Sequence, residues 1–176
     1  MSTISASGWP RAEGPPGLRN HVVVLSTVAL TDRVTRLAAP EGTLCLTPGW
    51  ERGLRGEDAA LQARALRAVA AHPNVAAILC VTHDRPAAEQ LTEDLAGLGK
   101  PSAATAFMAA NGYDAAALAI AEAARSLLRA VEGARPVRLG AADLTVALEC
   151  GGSDASSAIC ANPAIGRFVD RLVAGG

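Results

Sequence analysis

Aromatic side chains are scarce in this sequence: two Trp, one Tyr and two Phe make up 3% of 176 residues. That excludes a core anchored on large rings and a base-stacking surface for single-stranded nucleic acid. Lysine is scarcer still. Lys100 stands alone beside fifteen scattered Arg, and the formal net charge is −1. No basic run forms a phosphate-reading patch, so nucleic acid is not an expected partner. No apolar stretch approaches the ~20 residues needed to span a bilayer, so no membrane partner is expected either. Residues 1–10 lack a charged start followed by an apolar run, which places the expected compartment in the cytoplasm. Cys45, Cys80, Cys150 and Cys160 contain no Cys-x-x-Cys pair. A structural zinc site and, in a chain this long, a disulfide framework are thereby disfavoured.

What is present is small and apolar. Half of the residues are hydrophobic and 39 of the 176 are Ala. Such a core gains its area from close backbone approach rather than from a few bulky anchors. The length suits one domain. Residues 1–20, with Pro10, Gly14, Pro15, Pro16 and Gly17, read as an irregular N-terminal arm. A single α/β domain over 21–176 is expected to follow.

His21–Val28 is a continuous apolar run of the kind that forms a strand buried on both faces. Similar runs recur at Thr43–Leu46, Val75–Val81, Ala103–Phe107 and Leu144–Leu148. Helical spacing fills the intervals: residues 32–38, Glu57–Ala71, Pro86–Leu95 and Asp114–Val131. In Glu57–Ala71, the residues Leu61, Ala65, Leu66, Val69 and Ala70 share one face, and His72-Pro73 ends the helix. Strands alternating with helices predict a Rossmann-like, doubly wound α/β fold, with a mainly parallel sheet and flanking helices.

The tail carries the most information. The expected strand Leu144–Leu148 runs into Glu149-Cys150-Gly151-Gly152-Ser153-Asp154, and Asn162-Pro163 reads as the N-cap and first position of a last helix. Glycines at a strand end let backbone N–H groups approach an anion, and in open α/β sheets ligands sit beyond the carboxyl ends of the strands.

The block Glu149–Ala155, then Ala161-Asn162-Pro163-Ala164-Ile165-Gly166, Asp170 and Leu172-Val173, resembles the signature of the altronate/galactarate dehydratase family. These are sugar-acid hydro-lyases, and sulfolactate sulfo-lyase is grouped with them. Gly17-Leu18-Arg19-Asn20 before the Val-rich strand, His72-Pro73-Asn74-Val75 and Gly99-Lys100-Pro101 also match, so the resemblance runs from about Gly8 to the C-terminus. It covers roughly the first half of the family's catalytic region. Several polar motifs are replaced, by Val28-Ala29-Leu30-Thr31, Leu46-Thr47-Pro48-Gly49-Trp50, Thr82-His83-Asp84-Arg85-Pro86 and Met108–Tyr113.

The resemblance implies a lyase that removes water from an aldonate, an aldarate or a similar hydroxy acid, assisted by a divalent metal, iron or manganese. It implies Cys150, Ser153 and Asp154 as catalytic residues. Arg19, Gly151, Gly152 and Asn162 are the implied substrate contacts, and the metal ligands are unassigned. Elimination β to a carboxylate needs a base for the α-proton, donors for the enolate charge and an acid for the leaving hydroxyl. The alternative is a non-catalytic chain that binds a small acid or is the companion subunit of a split hydro-lyase. A homo-oligomer or companion subunit is the expected assembly. His83 and Asp84 are a polar pair at a strand end, for which a solvated turn is the plainer reading. Cys150 can equally be a buried structural thiol, and Arg19 a surface residue.

Overall fold

The computed structural model describes residues 5–175. Four parallel strands form the central sheet, in the order β3-β2-β4-β5. They are β2 (His21–Ser26), β3 (Thr43–Leu46), β4 (Val75–Thr82) and β5 (Ser102–Ala106). The predicted runs at these places are strands, with ends shifted by one or two residues where they shift at all.

Alternation along the two central strands explains why both read as unbroken apolar runs. Val22, Val24, Ala77, Leu79 and Val81 face one layer, where Val34 and Ala38 of α1 (Ala29–Ala38) meet Ile120, Ala124 and Leu127 of α4 (Tyr113–Val131). Val23, Leu25, Ile78 and Cys80 face the other layer, against Leu66 and Ala70 of α2 (Gly56–Ala71) and Leu95 of α3 (Arg85–Leu95). All eight residues of β4 are buried. On the two central strands, covered on both faces, polar side chains stand only at the ends, at His21, Ser26 and Thr82, and each buried Val, Leu or Ile contributes about 1.5–3 kcal/mol. The chain is thus a mixed α/β protein whose parallel sheet is flanked by helices on both sides.

The arm is not wholly irregular. Ala6–Gly8 form β1, antiparallel to β6 (Val137–Leu139), and Trp9 bridges Gly17 with N···O distances of 2.7 and 2.9 Å. Three residues of mixed character carry no period-2 signal, so only the distant partner makes the strand. Arg11 locks the arm to the amino edge of the sheet. It donates to the Pro73 carbonyl at 2.6 Å, to Asn20 Oδ1 at 2.9 Å and to the Arg19 carbonyl at 3.0 Å.

The expected fifth strand is absent. Residues 144–150 form no strand and belong to neither sheet. The alternation in Leu144–Leu148 is strand-like, but α4 and β6 lead the chain away to the β1–β6 ribbon, so no ladder edge meets it. No residue from Ala141 to Gly175 is buried. No described helix is long and apolar enough to cross a membrane.

Candidate functional site

The tail motif sits at the start of the last helical segment. Asp154 Oδ1 accepts from the Ser157 backbone N–H at 2.9 Å and from Ser156 Oγ at 2.6 Å. Asp154 thereby caps a helix that begins at Ala155, ahead of the predicted start. Asn162 is not an N-cap. Its φ and ψ of −66° and −43° are helical, and it opens α5 (Asn162–Ala174) in unbroken continuation of the preceding turns. Pro163 therefore lies inside the helix, where it cannot donate backward. The turn before it, Ser157–Ala161, widens to π-type pairing, which relieves the clash that the proline ring makes with an α-helical carbonyl.

Cys150, Gly152, Ser153, Asp154, Ser157 and Asn162 border one open cleft of about 570 Å³. Cys150 is exposed rather than buried. Its Sγ lies 3.1 Å from the Gly152 carbonyl and 3.3 Å from Ser157 Oγ. The carbonyl suits the thiol, while the Ser157 hydroxyl can donate to the thiolate and is the main cause that holds the thiol below its usual range. The Ser156 hydroxyl and the Ser157 and Ser156 backbone hold the Asp154 carboxyl low as well. Ser157 is the participant that sequence reasoning missed. The spacing Asp154-x-x-Ser157 is a capping pattern and could have signalled it.

Arg19 does not border this cleft. It precedes β2 at the amino edge of the sheet, where its guanidinium donates to the Leu18 carbonyl at 2.9 Å and its backbone N–H to Asn74 Oδ1 at 3.1 Å. His83 and Asp84 lie elsewhere again, at the end of β4, with His83 Nε2 2.5 Å from Asp84 Oδ2. His83 is buried, so the plain solvated-turn reading does not describe it. Asp84 also caps α3, accepting from the Ala87 N–H at 2.9 Å.

A resident metal does not fit this donor set. Among the described residues no three His, Cys, Asp or Glu side chains converge, and the tail cleft brings together one thiol and one carboxylate.

The Ser157 contact has a direct chemical consequence. Ser157→Ala will slow alkylation of Cys150 by iodoacetamide near neutral pH, because the thiolate loses its donor. Exposed Cys160 serves as the internal control, with rates read by mass spectrometry. A lowered pKa raises the thiolate fraction only below the ordinary thiol value, so the difference will vanish in more alkaline solution.

Comparison with known proteins places the sequence in a family. Residues 8–132 match the family described as D-galactarate dehydratase/Altronate hydrolase, second domain. Residues 141–176 match D-galactarate/Altronate dehydratase, C-terminal. The chain is 28% identical over 167 residues to a (2R)-sulfolactate sulfo-lyase subunit beta of Chromohalobacter salexigens, covering 94% of this chain and 43% of that one. It is 26% identical to an altronate dehydratase of Escherichia coli and 24% identical to one of Bacillus subtilis, in each case covering 96% of this chain and 36% of the relative. The chain thus spans less than half the length of these relatives. No solved structure matches it. With most of the α/β domain and the whole tail accounted for in this way, the chain belongs to the galactarate/altronate dehydratase family.

Proposed function

We propose that this chain supplies one part of a lyase that eliminates the substituent β to the carboxylate of a small hydroxy acid. Further polypeptide of the same family, in the same or a companion chain, completes the site. The observation that supports this reading is the state of the tail. Residues 141–175 carry the family's C-terminal match, gather Cys150, Ser153 and Asp154 around one cleft, and bury nothing. Val146, Leu148, Ile159 and Phe168 are 44–75% exposed there. Apolar side chains spread over such a segment gain free energy when another surface covers them.

In this reading the backbone N–H groups of Gly151 and Gly152 and the Asn162 amide receive the substrate carboxylate. Cys150, as thiolate, takes the α-proton. The C–H electron pair forms the new double bond as the β-substituent departs, and for a hydroxyl leaving group Ser153 is the proton donor. Asp154 positions this pair: it fixes the Ser157 backbone, and the Ser157 hydroxyl in turn faces the thiol. Arg19 takes no part, since its guanidinium is tied to the Leu18 carbonyl. A divalent metal, iron or manganese, would draw its missing donors from the completing polypeptide.

The test is an elimination assay on altronate, galactarate and sulfolactate with iron or manganese supplied. The chain alone is expected to be inactive, and activity is expected once the rest of the family's catalytic region is co-expressed with it. In that complex Cys150→Ala will lower kcat/KM by about 10²–10⁴-fold. Turnover by the chain alone, or a Cys150→Ala complex as active as the parent, overturns the reading.

A further inference from the structure

A second cleft, of about 490 Å³, lies apart from the tail at the carboxyl edge of the sheet, between α2, α3 and the loop at residues 51–54. Its volume is within the range of small-molecule sites. Buried Leu66 and Leu95 and half-buried Leu91 give it an apolar wall. Arg52 and Arg64 stand exposed along it, as does Arg67, whose guanidinium already donates to the Asp94 carbonyl at 2.6 Å. Two carboxylates oppose them, Glu51 and Asp94, and the Asp94 carboxylate already accepts from Gln90 Nε2 at 2.9 Å. Arginine guanidinium groups at the border of a low-dielectric cleft favour an anion there.

His83 adds an independent observation. It borders this cleft and is only 8% exposed, yet Nδ1 has no hydrogen-bond partner. Nε2 is close to Asp84, but the contact is out of line for a hydrogen bond. A buried imidazole with both nitrogens unbonded forfeits free energy that a ligand group or an ordered water restores. Gln62 is similarly under-used. Its Nε2 reaches the Thr27 and Glu51 carbonyls only at 3.4 and 3.5 Å, so both of its donors are weakly engaged.

We propose that this cleft binds a small organic acid with a hydrocarbon body, its anionic end towards the arginines and His83 and its body on the leucine wall. A polyhydroxylated acid fits the leucine wall less well. Leucine side chains offer no partner to its hydroxyls, and each hydroxyl desolvated without one is costly. The inference stands on the cleft alone and is read by binding, not turnover, so it survives or fails separately from the proposed elimination.

The test titrates the full chain with hexanoate, gluconate and hexylamine while following imidazole signals by NMR. Gluconate matches hexanoate in carbon count and charge, and hexylamine reverses the charge. The chain has three His, so His21→Gln and His72→Gln variants assign the His83 signal without touching the cleft. Hexanoate is expected to shift it saturably in the millimolar range or below, with gluconate and hexylamine leaving it in place. The double variant Arg52→Gln/Arg64→Gln, altered at two exposed positions, will keep the parental Tm and bind hexanoate about tenfold more weakly, the scale of a lost charged contact. A hexanoate titration that leaves the His83 signal unmoved overturns the proposal. So does a shift by gluconate or hexylamine of equal size, or a double variant that binds as tightly as the parent.

Discussion

Leu79→Ala will lower the unfolding free energy by about 3–5 kcal/mol, the cost of a fully enclosed leucine whose cavity cannot collapse. Leu79 lies in the middle of the central strand β4 and has no exposed surface. Its backbone pairs with Val24 on one side and Ala103 on the other. Its side chain joins the layer made with α1 and α4. Ladders on both flanks and helices over the face keep the neighbours from closing the void. The measurement is urea unfolding followed by circular dichroism, with the midpoint falling and the slope unchanged. Leu61→Ala in α2 is the matched control: this residue is 58% exposed, and its replacement will move stability by no more than ~0.5 kcal/mol. Equal effects from the two variants would mean that the sheet is not packed as described.

Gly17→Ala will be the next most damaging, by about 1–3 kcal/mol, although it adds a single methyl group. A Cβ at this position would run into the Pro73 carbonyl oxygen and come within 2.8 Å of the Arg19 carbonyl oxygen. Both obstacles are backbone, so no rotamer change relieves them. The strand bridge from Gly17 to Trp9 will break, and the arm will leave the amino edge of the sheet. Limited proteolysis reads this directly: cleavage between residues 9 and 17 will accelerate in the variant while the sheet stays resistant. Gly133→Ala is the comparison. A methyl group added there would have no neighbour within 4 Å, so that change will be neutral or stabilising by up to ~1 kcal/mol. A Gly17→Ala chain with unaltered cleavage would refute the docking of the arm.

Much of the fold is legible in the sequence because burial on two faces writes itself plainly. His21–Ser26 and Val75–Thr82 read as strands since every position in them but His21 is buried, and α2 reads as a helix from its one apolar face. The errors share a cause, which is pairing over distance. Ala6–Gly8 carries no pattern yet becomes a strand because Val137–Leu139 lies beside it. Leu144–Leu148 carries a good pattern yet stays single because no edge reaches it. Asn162-Pro163 is a strong local start signal, overruled by the earlier cap at Asp154 and a π-type turn that accommodates the proline. The tail cleft is legible as a motif: of its expected site residues Cys150, Gly151, Gly152, Ser153, Asp154 and Asn162, all but Gly151 border the same opening. The sheet-edge cleft is legible only in His83, because Gln62 and the arginines reach it from segments far away in sequence.

The parallel order of the sheet also constrains how the chain finds its structure. None of its three pairings is a hairpin, and the most extensive joins β2 to β4. At the end of that pairing the Thr27 hydroxyl donates to the Val81 carbonyl across a sequence separation of 54 residues. Two helices and an intervening strand must therefore be looped out before the central ladder can zip. Their conformational entropy is lost before the ladder repays it, which places the folding of this domain with slow, high-contact-order proteins rather than with helical bundles of similar size. Newly synthesised chains will accordingly expose the apolar runs of β2 for as long as β4 is unfinished.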